Sequence, residues 1–493
     1  MTFNNNADSD VSVRLTTSIS NTTPGNLTFD GGGSGASLNV NSGAQGNFTI
    51  GVSTGNVILN DNLAITHNDT GTLAISRGIL ETGGNRSVTK SGSGLLNFTG
   101  ASSTFTGGLN INEGTVQGSV VSNFGGANNT LTLNGGTMLL QTNASQNFNN
   151  KSLVVGASGG TLIHNNTAAT TENSQFATGT GGYTTTLTGN LTVKNYDNSA
   201  GADVFSLNQN ISGTGKIIFE GNNTLSVNIG DKRLQLGGNN TLWSGGLEVR
   251  KGAVLFASNA NAGATSGTGN ITIGVTSSAD AAAIATNVAG TYVNNVTVTS
   301  GGTRIVEGQD TGIIWSGNFS LAGDLSYRMT GDAAVVNTIS GDLSGAGGLT
   351  KTGNGTLTLS GTNTYLGVTT VSLGTLLAPS PVSLPGWDTA GRYSVSSGAS
   401  LFLGSGFSSA NVTTILGTGN LAAGARLGFD TSSGDSVIDS ALTGNLSIVK
   451  NGNNTLTLSG NNSHTGATTI NEGTPTTVAF TAGPPPSTKV SWK

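Results

Sequence analysis

The stretch Gly348–Ala378, GLTKTGNGTLTLSGTNTYLGVTTVSLGTLLA, decides the fold. Leu357 and Leu359 alternate with Thr356 and Thr358, the period-two pattern of a strand with one buried face. Gly361 follows, where the chain must turn sharply and a residue without Cβ can take positive φ. A second strand, holding Val371, then closes on Gly374.

The same grammar recurs. A copy from Ser447 reads SIVKNGNNTLTLSGNNSHTGATTINEGT, one from Val88 reads VTKSGSGLLNFTGASSTFTGGLNINEGTV, and a weaker one from Leu234 reads LQLGGNNTLWSGGLEVRKGAVL. Leu456 and Leu458, then Leu96 and Phe98, repeat the leucine pair. Gly460, Gly100 and Gly238 repeat the first glycine, and Ile470, Ile111 and Val249 sit in the second strand. Gly473, Gly114 and Gly252 close the copies. A pattern recurring over tens of residues marks units that bury their faces on one another. Gly-Asn followed by a three-residue strand also occurs at Gly25, Gly46, Gly55, Gly189, Gly269, Gly317 and Gly444. Asn there is expected to turn the chain through left-handed backbone or by bonding its own main chain. No amphipathic helical stretch is long enough to cover a sheet. The expected fold is all-β: a right-handed parallel β-helix, a β-solenoid in the form of an elongated rod, of about 20 coils of roughly 20 to 25 residues.

Composition agrees with a thin core. Of 493 residues, 9% are charged, 34% are hydrophobic and 78 are glycine, against about 25% charged in a usual soluble domain. Thr, Ser and Asn dominate the rest, and stacked coils would align them into ladders that need no charge. The net charge of −5 and the lack of a Lys or Arg run argue against a nucleic-acid partner. With no cysteine, disulfides, thiol chemistry and Cys-based metal sites are excluded. No apolar run approaches the length of a membrane helix. The start, Met1–Asp8, lacks the basic and apolar regions of a secretory signal, so export is expected to use a removed signal or another route.

The copies resemble the autotransporter-associated β-strand repeat of bacterial passenger domains and large surface proteins. Its pattern runs Lys-x-Gly-x-Gly, Leu-Thr-Leu-x-Gly, Asn-Thr-Tyr-x-Gly, then Thr-Thr-x-x-x-Gly-Thr-Leu. Lys351, Gly353, Gly355, Leu357, Leu359, Gly361, Asn363, Tyr365, Gly367, Gly374 and Leu376 match it. The aromatic position is His464, Phe105 and Trp243 in the other copies, and the closing leucine becomes Pro475. A proline cannot donate to a strand ladder, so regular stacking is expected to end near Thr474. The resemblance implies an extracellular or cell-surface bacterial protein.

Four segments are expected. Residues 1–378 form solenoid, with repeats near 88–117, 234–255 and 348–376. Residues 379–443 form a proline-bounded excursion with further coils and two helical turns over Ser408–Leu416. The last repeat spans 444–474, and 475–493 form a tail or the start of a further β module.

Parallel β-helices also carry polysaccharide-cleaving enzymes, whose sites need converging carboxylates. The acids here are thinly spread. Asp8 with Asp10, Glu307 with Asp310, and Asp430, Asp435 and Asp439 are expected to be turn or cap residues. His67 and His164 lie beside turn signals and are expected in exposed loops, and His464 is expected to pack as an aromatic substitute. No GxSxG elbow offers a hydrolase framework. The Asp30-Gly-Gly-Gly-Ser-Gly run occurs once and lacks a calcium-repeat period. No catalytic residue, metal site or cofactor is assigned. Trp387, Arg392 and Tyr393 are the candidate contact residues, for carbohydrate or protein, on a loop leaving a rigid scaffold. Solenoid ends expose strand edges, so Val11, Val13, Leu15, Val490 and Trp492 are candidates for edge pairing with a second molecule. The expected function is that of a non-catalytic surface fibre, stalk or adhesin. Its partners would be further copies of itself or cell-surface and matrix components. The alternatives are a polysaccharide-active β-helix enzyme, or a passive stalk for a binding module beyond the C-terminus.

Overall fold

The computed structural model describes residues 2–4, 12–14, 19–21, 26–40, 47–52, 55–100, 102–166, 172–177, 181–197, 203–221, 233–257, 269–473, 478–480 and 490–492. The chain divides into two compact units, Met1–Gly269 and Asn270–Lys493. Each is a β-solenoid whose described strands all pair in parallel. Between them the units make about 16 turns, fewer than the spacing suggested. Coil length varies: 20 residues separate Leu343 from the Asn363 that caps it, and 32 separate Ser152 from Thr184.

In the first unit one ten-stranded stack begins at Ser12–Arg14 and ends at Leu242–Trp243. A second carries Leu95–Phe98, Thr115–Gly118 and Thr137–Thr142 in consecutive coils, and a third Asn173–Ala177, Val204–Asn208 and Arg233–Leu236. The second unit has a ten-stranded stack from Gly290–Tyr292 to Val490–Trp492. Beside it run stacks holding Leu325–Met329, Leu349–Thr352 and Thr369–Val371, and Ser436–Ile438, Leu456–Leu458 and Val478–Phe480.

The alternation read from the sequence sorts inside from outside. Leu357 and Leu359 are fully buried while Thr356 and Thr358 are half-buried. Leu357, Leu376, Leu401, Leu427 and Ile448 occupy one register position in successive coils. Each such burial is worth about 1.5–3 kcal/mol. Aromatic rings stack likewise, with Phe148 and Phe176 centred 4.6 Å apart in the first unit and Tyr292 and Trp315 4.7 Å apart in the second.

The glycines divide by role. The closing Gly114, Gly252, Gly374 and Gly473 all have positive φ, as does Gly238. Gly100, Gly361 and Gly460, which were expected to do so, are instead places where coils touch. A Cβ on Gly361 would lie 2.3 Å from the carbonyl oxygen of Gly341, and one on Gly460 would lie 2.2 Å from that of Ser440. The Gly-Asn motif also works between coils. Among the described residues only Asn128 and Ser277 are non-glycine residues with positive φ, so the motif asparagines do not supply left-handed backbone. Their side chains reach the next coil instead. Asn318 Oδ1, in the motif at Gly317, accepts the amide of Asp342 at 2.9 Å, and Asn295 and Asp342 at the same position in neighbouring coils accept those of Asn318 and Thr362 at 2.9 and 2.7 Å. In the first unit Asn26 and Asn190 bond Asn56 and Lys216 in the same way.

Within 379–443, Tyr393–Val395, Ser400–Gly404 and Arg426–Asp430 pair into the stacks of the second unit. The helix Ser409–Gly417 rises between the last two, capped by Ser408 Oγ and burying Val412 and Ile415. Parallel register continues beyond Pro475, contrary to expectation: Val478 pairs with Leu456 and Val490 with Thr468. Pro475 itself is outside the described residues.

Candidate functional site

The repeat lysine is an internal bracket. Lys351 is fully buried, and its Nζ donates to the carbonyls of Thr352 (3.2 Å), Gly353 (2.6 Å) and, one coil on, Leu373 (3.1 Å). Lys90 does the same with Ser91, Gly92 and Glu113, and Lys450 with Gly452 and Glu472. An ammonium supplies the donors that such turn carbonyls need away from water. Burial pushes the amines of Lys90 and Lys351 down to about 8. In the outer copies a carboxylate completes the joint: Glu113 accepts the Gly92 amide at 3.0 Å and Glu472 the Gly452 amide at 2.9 Å. The middle copy has Leu373 at that position, exposed.

The aromatic position varies together with the residue four later. Tyr365 hydroxyl meets Thr369 Oγ1 at 2.5 Å, and His464 Nε2 meets Thr468 Oγ1 at 2.9 Å. Phe105, which has no polar atom, is followed by Leu109. Two residues before each aromatic, a polar side chain caps the preceding coil: Ser103 to Ile79, Asn363 to Leu343 and Asn462 to Leu442. In the weak copy the cap comes three residues before the aromatic: Asn240 caps Ile211, and Trp243 bonds the Gly215 carbonyl.

The candidate contact residues lie together but differ in access. Tyr393 is buried, with its hydroxyl bonded to Ile415 O and Thr418 Oγ1. Arg392 is half-buried and donates to the Tyr365 carbonyl at 3.2 Å. Trp387 is half-buried, edge-on to Phe407. Around them stand exposed aliphatics that the sequence reading missed. Leu366, Val368 and Val382 are 66%, 45% and 57% exposed. The signal was available, because the other two full copies have Thr106 and Thr465, then Gly108 and Ala467, at the first two positions. Of the edge candidates, Val13 lies in Ser12–Arg14, paired with Ala36–Val40, and Val490 and Trp492 lie in Val490–Trp492, paired with Thr468–Ile470. These are terminal strands of their stacks. Val11 and Leu15 are outside the described residues.

The acids are separately engaged. Glu307 pairs with Arg328, Asp310 accepts the Thr311 amide, Asp430 the Ser432 amide and Asp435 the Thr455 amide. Asp439 offers its own amide to Ser409 Oγ. Asp8 and Asp10 are outside the described residues. Among the described residues no group of three or more His, Asp or Glu side chains is placed to hold a metal ion. His67 and His164 are not in exposed loops: both are fully buried within strands. Their partners come from the next coil, Leu95 O for His67 and Asn195 Oδ1 for His164, which local turn signals could not reveal. His464 is buried as an aromatic substitute. A cluster of ion pairs, Lys194–Glu220–Arg250–Glu248–Lys216, was also missed. Apart from Glu248 and Arg250, which share one strand, its pairs join residues a coil apart that look isolated along the sequence.

Three segments, 88–117, 349–378 and 448–474, match the passenger-associated-transport-repeat family. Over 162 residues the chain is 36% identical to the adhesin BmaC autotransporter of Brucella suis biovar 1 (strain 1330), covering 31% of this chain and 5% of that protein. No solved structure matches the chain.

Proposed function

We propose that this chain, an autotransporter-associated repeat protein, is an adhesin-like passenger segment presented outside a bacterial cell. The passenger repeats and the adhesin relative support that reading, and the observation that carries it is the repeat joint itself. The residues the repeat supplies, Lys351, Asn363, Tyr365 and Gly361, are spent on holding one coil to the next. What remains outward is a hydroxyl and amide surface suited to contact. Protease added to intact cells of the producing bacterium should degrade the chain, and protection until lysis would refute the placement. Bacteria displaying residues 1–493 should adhere to host cells more than bacteria displaying none.

Within that role the chain is non-catalytic, and Trp387, Arg392 and the aliphatics beside them form its contact patch. Display of the Trp387→Ala, Leu366→Ser double variant should lower adhesion while expression stays equal. Self-association through Ser12–Arg14 and Val490–Trp492 is the second part of the reading, favoured by their terminal positions. Sedimentation of the purified chain at rising concentration should show end-to-end oligomers, and a monomer throughout would remove this part alone.

A further inference from the structure

The unit Asn270–Lys493 carries a surface groove of about 600 Å³ on the outward face of its ten-stranded stack. It crosses six consecutive strands, from Thr356–Leu359 to Thr468–Ile470. One outward row holds Thr356, Thr375, Ser400 and Arg426 in register. The next holds Leu377, Phe402, Gly428, Val449 and Thr469.

Gly428 makes the floor. A Cβ there would lie 2.4 Å from three ring carbons of Phe402, so the ring rests on the Gly428 backbone and only 5% of the residue is exposed. Phe402, with Val449 two coils on, thus gives an apolar floor in a groove whose polar lining is threonine, serine and asparagine. Asn471 Nδ2 donates to Asn451 Oδ1 at 2.9 Å, which leaves these amides further donors and acceptors for hydroxyls. The single charge in the lining is Arg426. It is exposed and forms no ion pair among the described residues, and no carboxylate lines the groove.

We propose that this groove binds an anionic polysaccharide chain, whose carboxylate or sulfate group sits on Arg426. An elongated groove of hydroxyl and amide groups over an apolar floor suits pyranose rings, which present hydroxyls at the rim and C–H groups on the face. Coils repeat every 4.8 Å or so, close to the advance of one sugar in an extended glycan. A guanidinium free of acid partners binds carboxylate or sulfate in paired hydrogen bonds. The inference deepens the adhesin-like reading by naming a ligand class, and it rests on that reading only for its biological setting.

The test uses the purified chain, with polygalacturonate, heparin oligosaccharide and dextran as immobilised probes. At least one of the two anionic probes should bind, dextran should not, and binding should weaken as salt rises. Arg426→Ala should weaken it about tenfold or more, the loss of a charge-assisted contact. Thr356→Glu, which sets a like charge in the groove, should weaken it comparably, with circular dichroism confirming that both variants are folded. Failure of both anionic probes, equal binding of dextran, or wild-type affinity in folded Arg426→Ala would each overturn the proposal. Adhesion of displaying cells by a chain that binds neither anionic probe would sink the groove while leaving the adhesin-like role intact.

Discussion

At the residue scale, the repeat lysine shows what a motif position is for. Lys351 is visible in the sequence as the start of Lys-x-Gly-x-Gly, but its bracket onto Gly353 and Leu373 joins two coils and cannot be seen in either alone. Lys351→Met keeps the stem and leaves those carbonyls without their donor, so stability should fall by about 1–3 kcal/mol in urea titrations. Leu373→Glu restores the carboxylate that Glu113 and Glu472 provide and should gain about 0.5–1.5 kcal/mol by accepting the Gly353 amide. The buried amines also set a pH dependence. Lys90, Lys151 and Lys351 stand at about 8 in the folded chain against 10.5 when unfolded. Between those values the unfolded chain binds more protons, so stability rises with pH. Buried Tyr365 acts oppositely, its hydroxyl pushed by burial from 10.0 up to about 12. Above pH 10 the unfolded chain therefore loses that proton first and stability falls. The urea midpoint should climb from pH 8, crest near pH 10 and decline beyond, and Lys351→Met should flatten part of the climb.

At the element scale, the strands were legible because burial at alternate residues is a local property, and Leu357 with Leu359 announces it. The helix was legible for the same reason, its Ser408 cap and apolar Val412 and Ile415 lying within two turns. The joints between coils were not. They depend on which residue lies one coil away, and that distance runs from 19 to 32 residues. This is why His67 and His164 were misplaced and why the ion pairs around Glu220 went unseen. The coupling of Tyr365 to Thr369 is testable as an exchangeable part. Tyr365→Phe alone should cost about 1–3 kcal/mol by orphaning a buried hydroxyl. Adding Thr369→Leu recreates the Phe105 and Leu109 pair of the first copy and should recover most of the loss. Additive losses in the double-mutant cycle would show that the pair is not coupled.

At the scale of the whole molecule, a chain with so few charges owes its stability to burial and to amide and hydroxyl bonds. Screening acts on exposed charges, and exposed ion pairs contribute about 0–1 kcal/mol each. The urea midpoint should therefore shift by less than the equivalent of about 1 kcal/mol between low and high sodium chloride. Part of any shift should vanish in Arg250→Gln, which removes the pairs with Glu220 and Glu248 and splits the cluster in two. The bond handed from Asn295 to Asn318, from Asn318 to Asp342 and from Asp342 to Thr362 reaches further. The two inner coils of that series each receive the same bond they give, so a coil inserted or removed between them meets an acceptor behind it and an amide ahead. A gene built this way can gain or lose a whole repeat in one step without breaking the joint on either side.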